Sequence, residues 1–159
     1  MNYVYESPDK GKTIYQREFG SNEKILISKE KSSMIYVPIS LGELIDKLTI
    51  LQIKLQQIDD SEKLKNVKNE WDLLSKLPEY RDVAYEIAPY FTELYNINME
   101  LWEIEDEIRE HELNHVFDFK FIRLARKVYT TNDKRAAIKK EINLKYGSKI
   151  IEEKSYKEY

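Results

Sequence analysis

Apolar residues from position 41 onward recur in steps of three and four, which is the period of an amphipathic α-helix. The first stripe predicts a helix that faces other helices, and it consists of Leu41, Leu44, Leu48, Leu51, Leu55 and Ile58. Ser40 precedes it as a predicted N-cap, and Glu43 stands three residues later, as in a capping box. Asp59-Asp60-Ser61 predicts a break or a new cap. The spacing then resumes up to Pro78, at Leu64, Val67, Trp71 and Leu74.

Further helices are predicted in the second half of the chain. A second long stripe begins around Pro89, which suits a first turn, and comprises Ile87, Phe91, Leu94, Ile97, Leu101, Ile104 and Ile108. Asp118 is placed to cap a third helix. Thr131 or Asn132 is placed to cap or bend the chain into a fourth, which Gly147 would end.

The first 38 or so residues follow a different pattern, rich in Tyr, Ile and Val and interrupted by turn residues. Tyr3–Glu6 and Thr13–Phe19 flank Ser7-Pro8-Asp9-Lys10-Gly11, which predicts a β-hairpin. Lys24–Ser28 and Ile35–Val37 are further short strand candidates. The fold class expected is mainly α: an antiparallel helical bundle or long helical hairpin with a small N-terminal β-hairpin. Residues 1–33 form the extension and residues 34–159 the helical domain.

Composition narrows the possible functions. Charged residues make up 35% of the chain, with four Gly and four Pro, which favours long, charge-coated helices. The net charge of −3 argues against a nucleic-acid partner. No apolar run approaches the ~18 residues of a membrane span, and the first residues do not resemble a signal peptide. The chain has no cysteine, which fits a reducing compartment. We expect a cytoplasmic protein without a membrane partner.

The two histidines of the chain form the string His111-Glu112-Leu113-Asn114-His115. On a helix, histidines four residues apart share one face and can bind Zn²⁺, with the intervening Glu as general base. A third ligand would have to come from Asp118, Glu141, Glu152 or Glu153. The alternative, which we favour, is two solvated histidines at a helix end.

Acidic residues suggest a second kind of metal site. Glu43 and Asp46 are three residues apart on the first long helix, and Glu103 and Asp106 repeat the spacing on the second, beside Glu105. Helical nucleotide pyrophosphohydrolases hold Mg²⁺ with such pairs, because hard oxygen ligands suit that ion. Glu43, Asp46, Glu105 and Asp106 are therefore candidate Mg²⁺ ligands. The alternative is a solvated face with helical ion pairs such as Glu105–Arg109.

A mixed polar cluster is the third candidate. If the later helices fold back antiparallel, carboxylates of the second long helix meet guanidiniums beside the core. The candidate site residues are Glu105, Asp106, Arg126, Asp133 and Arg135, with Trp102, Arg109, Arg123 and Asn132 nearby. Arginine suits carboxylate, phosphate or other anionic ligands equally. We favour an interhelical ion-pair network over a ligand site.

Several stretches resemble an uncharacterised helical family of bacteria and of tailed phages, especially those of marine cyanobacteria. They are Ile39–Leu51, Leu101-Trp102 with Glu105-Asp106, Phe121–Tyr129, Asn132–Ala136, Gly147-Ser148 and Glu153–Tyr156. The resemblance covers about residues 34–159. It implies no reaction, although bacterial members are associated with surface-polysaccharide functions. Glu112 fits the family pattern, whereas His111 and His115 do not.

The N-terminal segment, with Tyr3–Asp9 and Lys12–Tyr15, resembles a separate short phage protein that is fused in front of the helical domain. Phage origin would place the chain in the host cytoplasm. No complete catalytic constellation is visible, and whether the chain is an enzyme stays open. The leading hypothesis is an accessory protein, without a cofactor, that acts through a protein partner or a small anionic ligand. The edge of the hairpin makes a homodimer plausible. The alternatives are the Mg²⁺-dependent hydrolase of a phosphorylated small molecule and the Zn²⁺ site.

Overall fold

The computed structural model describes residues 3–8, 13–29, 35 and 37–155. The chain divides into two compact units, Met1–Pro38 and Ile39–Tyr159. The sequence pattern placed this boundary between residues 33 and 34. Mainly helical structure with a small N-terminal sheet is confirmed as the fold class.

The N-terminal unit is an antiparallel sheet in the order β1-β2-β3. Its strands are β1 (Tyr3–Glu6), β2 (Thr13–Glu18) and β3 (Ile25–Lys29). The first two confirm the predicted hairpin, and β3 confirms the strand predicted at Lys24–Ser28, shifted by one residue. Residues 9–11 of the predicted turn lie outside the described part of the chain. Ile35 and Val37 belong to no strand, so that prediction was wrong for them, and Tyr36 is not described. The following Pro38 supplies no backbone donor for a sheet ladder.

The helical unit contains α1 (Leu41–Gln57), α2 (Ser61–Leu74), α3 (Pro78–Arg81), α4 (Ala88–Leu113) and α5 (Phe119–Lys145). Ser40 caps α1, since its Oγ accepts from the Glu43 backbone N–H, and Asp60 caps α2. Asp118 caps α5 by accepting from Phe121 N–H. These local signals, together with Pro89 in the first turn of α4, match the sequence prediction.

Helix α5 is one continuous helix, so the predicted bend at Thr131 or Asn132 was wrong. The polar side chains there bond back to their own helix: Asn132 Nδ2 donates to Val128 O at 3.0 Å, and Thr130 Oγ1 to Arg126 O at 3.2 Å. A side chain that bonds to a carbonyl of the preceding turn leaves the backbone hydrogen bonds of the helix intact, whereas an N-cap residue would begin a new helix.

Helix α1 is the central helix, because it contacts all four of the others. Three residues of the predicted stripe are buried in α1, namely Leu44, Leu48 and Leu51. The other buried residues of this helix lie outside the stripe, and they are Gly42, Ile45, Asp46, Thr49 and Ile53. The core between α1, α4 and α5 consists of Ile45, Ile87, Leu94, Ile138 and Ile142. Two ion pairs along α4 and α5, Glu107–Lys120 at 2.9 Å and Glu100–Lys127 at 3.9 Å, show that these helices run antiparallel.

A glycine sets the spacing between α1 and α5. Gly42 N–H donates to Asn143 Oδ1 at 2.8 Å, and a Cβ at Gly42 would lie 2.5 Å from Lys139 O. The two helices can approach this closely only because position 42 has no side chain. No described helix is long and apolar enough to span a membrane.

Candidate functional site

Asp46 of α1 and Arg135 of α5 form the most deeply buried ion pair among the described residues of the helical unit. Arg135 Nε donates to Asp46 Oδ1 at 2.7 Å, and Arg135 Nη2 to Asp46 Oδ2 at 2.5 Å. The Asp46 side chain is 1% exposed and that of Arg135 is 27% exposed. The hydrogen bonds to Asp46 raise the pKa of Arg135, although burial opposes the effect. The guanidinium therefore stays charged, with its fork locked against a buried carboxylate.

Asn98 connects α4 to this ion pair between α1 and α5. Its Nδ2 donates to both Asp46 Oδ1 and Thr49 Oγ1 at 2.9 Å. Thr49 Oγ1 in turn donates to the Asp46 backbone oxygen at 2.7 Å. Side chains from α1, α4 and α5 are thus joined in one buried network, which fixes their rotamers.

A cleft of about 560 Å³ opens in front of this network. Four of its lining residues are apolar: Ile50, Ile53, Leu101 and Trp102. The polar ones are Asn98 and Arg135, which belong to the network, and Glu105, Asp106 and Arg109, which follow on α4. The size is typical of ligand sites, and apolar walls with a few fixed polar groups are the usual lining.

A smaller cleft of about 330 Å³ adjoins the first, because Trp102 and Asp106 line both. Its other lining residues are Gln57 of α1 and Met99, Glu103 and Glu107 of α4. We call the two clefts together the α1–α4 groove. Trp102 lies at its centre, where the clefts meet.

The charges of the groove differ in how they are paired. Glu105 binds Arg109 at 3.0 Å, and Glu107 binds Lys120 of α5 at 2.9 Å, which lowers the pKa of Glu107. Glu103 and Asp106 have no ion-pair partner in the described part of the chain. The groove carries four carboxylates and two guanidiniums, and Asp46 already neutralises one guanidinium. Its potential is therefore negative.

The predicted polar cluster is assembled only in part. Glu105, Asp106 and Arg135 line the same cleft, whereas Arg126 and Asp133 are not among its lining residues. Arg126 is exposed on α5. The carboxylate that Arg135 binds comes from α1, and not from α4 as the sequence pattern suggested.

The candidate Mg²⁺ ligands are distributed over three places. Glu43 lies 2.6 Å from Lys139 Nζ, and Asp46 is bound to Arg135 and Asn98, while Glu105 and Asp106 line the cleft. Glu43 was interpreted as half of a capping box, but its carboxylate forms this ion pair with α5. No group of three or more His, Cys, Asp or Glu side chains within the described ranges is arranged to hold a metal ion.

The histidine string lies across the end of α4, because that helix ends at Leu113. His115 has φ +52°. Its N–H bonds to Glu112 O at 3.1 Å, and Val116 N–H bonds to His111 O at 2.9 Å, which is the Schellman pattern of a helix end. His111 Nδ1 lies 3.0 Å from Val116 O. The i, i+4 helical geometry on which the zinc interpretation depends is therefore absent.

The role of Asp46 was missed at the sequence level, but a signal for it exists. Gly42, Asp46, Thr49 and Ile53 recur in steps of four, three and four, and all four are buried. They form a second face of α1 that contains small and polar residues. A polar residue on a helical stripe indicates a buried position only when its hydrogen-bond partner is known. The partner of Asp46 is Arg135, which lies 89 positions later, so the local sequence does not identify it.

The comparisons with known proteins agree with this division of the chain. A family of unknown function, DUF6165, matches residues 35–159. The chain belongs to the DUF6165 family. That match contains every residue of the α1–α4 groove and of the buried network. No curated protein and no solved structure matches the chain.

Proposed function

We propose that this DUF6165 protein is a non-catalytic accessory protein that binds its partner in the α1–α4 groove. The observation that carries the proposal is the buried Asp46–Arg135–Asn98 network directly behind an apolar, solvent-open cleft. Binding a partner requires a groove of this kind but no catalytic residues.

The network supports binding because it fixes the groove before a partner arrives. Asn98 and Arg135 each line the cleft and are held by a carboxylate that is 1% exposed. Groups that are already ordered lose little conformational entropy on binding, so more of the contact energy appears as affinity. Trp102 adds a large, rigid contact surface, and tryptophan is enriched among residues that dominate binding interfaces.

The test uses Trp102 as a reporter. Besides Trp102 the chain contains only Trp71, so Trp71→Phe leaves one tryptophan in the groove. A panel of anionic, cationic and peptide probes would be screened by thermal unfolding and by Trp102 emission. We expect one class to raise Tm and change the emission, since a ligand that binds the native state stabilises it.

The matched control is Tyr85→Ala, which removes an aromatic side chain that is 94% exposed outside the groove. Binding should be lost in Trp102→Ala, weakened in Trp102→Leu and retained in Tyr85→Ala. The proposal fails if no probe shifts the unfolding transition, or if every shift survives in Trp102→Ala.

A metal-dependent hydrolase of a phosphorylated small molecule is the second candidate, because Glu105, Asp106 and Arg135 line one cleft. In that hypothesis the carboxylates hold Mg²⁺, and Arg135 binds phosphate through Nη1, the guanidinium nitrogen that Asp46 does not hold. It predicts that Mg²⁺ and a nucleotide together raise Tm more than either alone. Phosphate release that is abolished in Glu105→Gln would then favour the enzyme.

We also propose that the protein is of bacterial or phage origin and acts in the cytoplasm. The absence of cysteine and the resemblance of its N-terminal segment to a phage protein support this. A homodimer through the edge of the sheet is supported by β3, whose outer side pairs with no other strand among the described residues. Light scattering at high protein concentration would test the dimer, and a monomer mass would exclude it.

A further inference from the structure

We infer that the partner taken by the α1–α4 groove is a basic, amphipathic protein segment that presents Lys or Arg together with apolar side chains. This inference rests on the proposed function and adds the chemistry of the partner. It follows from three features of the groove: an unpartnered acceptor, unpaired carboxylates and an apolar surface that is open along its length.

The unpartnered acceptor is Asn98 Oδ1. Asn98 is 5% exposed, and its Nδ2 donates to Asp46 and Thr49. No donor reaches its Oδ1 from any described residue. Asn98 is one of the residues that line the larger cleft, so this acceptor belongs to a residue of the groove. A buried residue that offers a free carbonyl to a cleft is suited to a ligand N–H.

The charges select a cationic donor. Arg135 is bound at two positions by Asp46, and Arg109 is bound by Glu105, so both guanidiniums of the groove are occupied. Asp106 and Glu103, in contrast, are unpaired among the described residues. Asp106 lines both clefts beside Trp102. Asn98, Trp102 and Asp106 follow one another on α4 in steps of four residues, which is about 6 Å per step. A segment that carries cationic side chains along its length would therefore meet an amide oxygen, an indole ring and a carboxylate in turn, each of which attracts a cation.

The shape of the groove favours a peptide over a small cation. Two adjoining clefts, both open to solvent, are shared between α1 and α4, and their apolar residues are Ile50, Ile53, Leu101, Trp102 and Met99. A polyamine would leave this surface without apolar contacts. An amphipathic helix fills such a groove with side chains spaced three and four residues apart.

The experiment measures the affinity of the full chain, as Trp71→Phe, for four probes by Trp102 emission and by calorimetry. They are a helical Lys/Leu peptide, its Glu/Leu counterpart, a Lys/Ser peptide of equal charge, and spermine. We expect the Lys/Leu peptide to bind most tightly, and its affinity to fall as salt is raised, since exposed charges are screened.

The double variant Glu103→Gln/Asp106→Asn should lower the affinity for the Lys/Leu peptide by roughly three- to tenfold, because two exposed ion pairs together contribute about that much to binding. The matched control, Glu110→Gln/Glu112→Gln, removes two charges from exposed residues of α4 outside the groove and should leave the affinity unchanged. Equal weakening in both double variants would overturn the inference, since it would show a response to net charge alone.

The remaining outcomes separate the inference from the proposed function. Tighter binding of the Glu/Leu peptide, or of a small anion, in a Trp102-dependent manner would overturn the cationic partner and keep the groove as a site. Equal binding of spermine and the Lys/Leu peptide would replace the protein segment with a small cation. Failure of every probe to bind would overturn both.

Discussion

Asp46 and Arg135, on the first and last helices, hold each other through two parallel hydrogen bonds of 2.5 and 2.7 Å. Their exposure is unequal, because the Asp46 side chain is 1% exposed whereas that of Arg135 is 27% exposed. Without Arg135, the buried Asp46 carboxylate would have no cation and no access to water. Without the Asp46 charge, the Arg135 guanidinium would still reach solvent. This asymmetry gives the first prediction.

Arg135→Met should destabilise the helical unit more than Asp46→Asn. The first change leaves a buried carboxylate without its cation, at a cost of about 3–5 kcal/mol. Asp46→Asn replaces the carboxylate with an amide of the same shape, and the guanidinium of Arg135 still reaches solvent. We therefore expect about half the loss in the free energy of unfolding. Urea unfolding measures both, and Arg126→Met, at an exposed position of the same helix, is the control. Equal losses would contradict the assignment of Asp46 as the buried member.

Gly42→Ala should destabilise the protein by about 1–3 kcal/mol through overpacking, although the same change in an exposed helix stabilises it by about 1 kcal/mol. The added Cβ would lie 2.5 Å from Lys139 O and 2.9 Å from Asn143 Oδ1. Because the nearer atom is backbone, Asn143→Ala in the same chain should not restore stability. Thermal unfolding of the single and double variants decides this, and a rise in Tm for Gly42→Ala would refute the close approach of α1 and α5.

His115→Gly should stabilise the protein by about 0.5–1 kcal/mol. His115 occupies the left-handed position of the Schellman motif with φ +52°, where glycine has no steric penalty. His115→Ala keeps the penalty and should bring no gain. Calorimetric unfolding with and without Zn²⁺ checks both variants. If Zn²⁺ raises Tm in the wild type and in neither variant, His115 is a zinc ligand, and the explanation by the Schellman motif is wrong.

Glu152 should contribute stability that is lost at acid pH. Hydrogen bonds from Lys154 and Lys139 lower its pKa from 4.5 to about 2. Because the folded-state pKa is depressed, the contribution is present above about pH 4.5 and disappears as pH falls toward 2. NMR titration should find the Glu152 pKa well below 4.5, and Lys154→Gln should raise it. An unshifted value would remove the ion pair as an anchor of residues 150–153.

Lys139 explains why that anchor exists. It is 8% exposed, and burial alone would lower its pKa, but hydrogen bonds to Glu43 and Glu152 outweigh burial and raise it. Lys139 lies 2.6 Å from Glu43 and 3.0 Å from Glu152. A buried ammonium with two carboxylates joins the start of α1 to the segment that follows α5. The Lys139→Met variant should therefore release residues 150–153, which NMR order parameters would detect as increased motion of these residues.

The sequence by itself determined the elements that depend on neighbouring residues. The caps Ser40, Asp60 and Asp118 and the turn at Gly147 are local, since each cap side chain bonds within two or three residues, and sequence patterns report such bonds directly. The same local evidence misplaced a bend at Asn132, because an Asn that caps a helix and one that bonds back to the preceding turn look identical in sequence.

Only the tertiary structure decided the site. Asp46, Asn98 and Arg135 come from three helices, with 52 and 89 positions between the bonded pairs. Helical periodicity places a residue on a face of its own helix, but it carries no information about which residue of another helix faces it. The orientation of α1 among its four neighbours fixed those partners, and it paired Arg135 with a carboxylate of α1 while leaving Asp106 open to the groove.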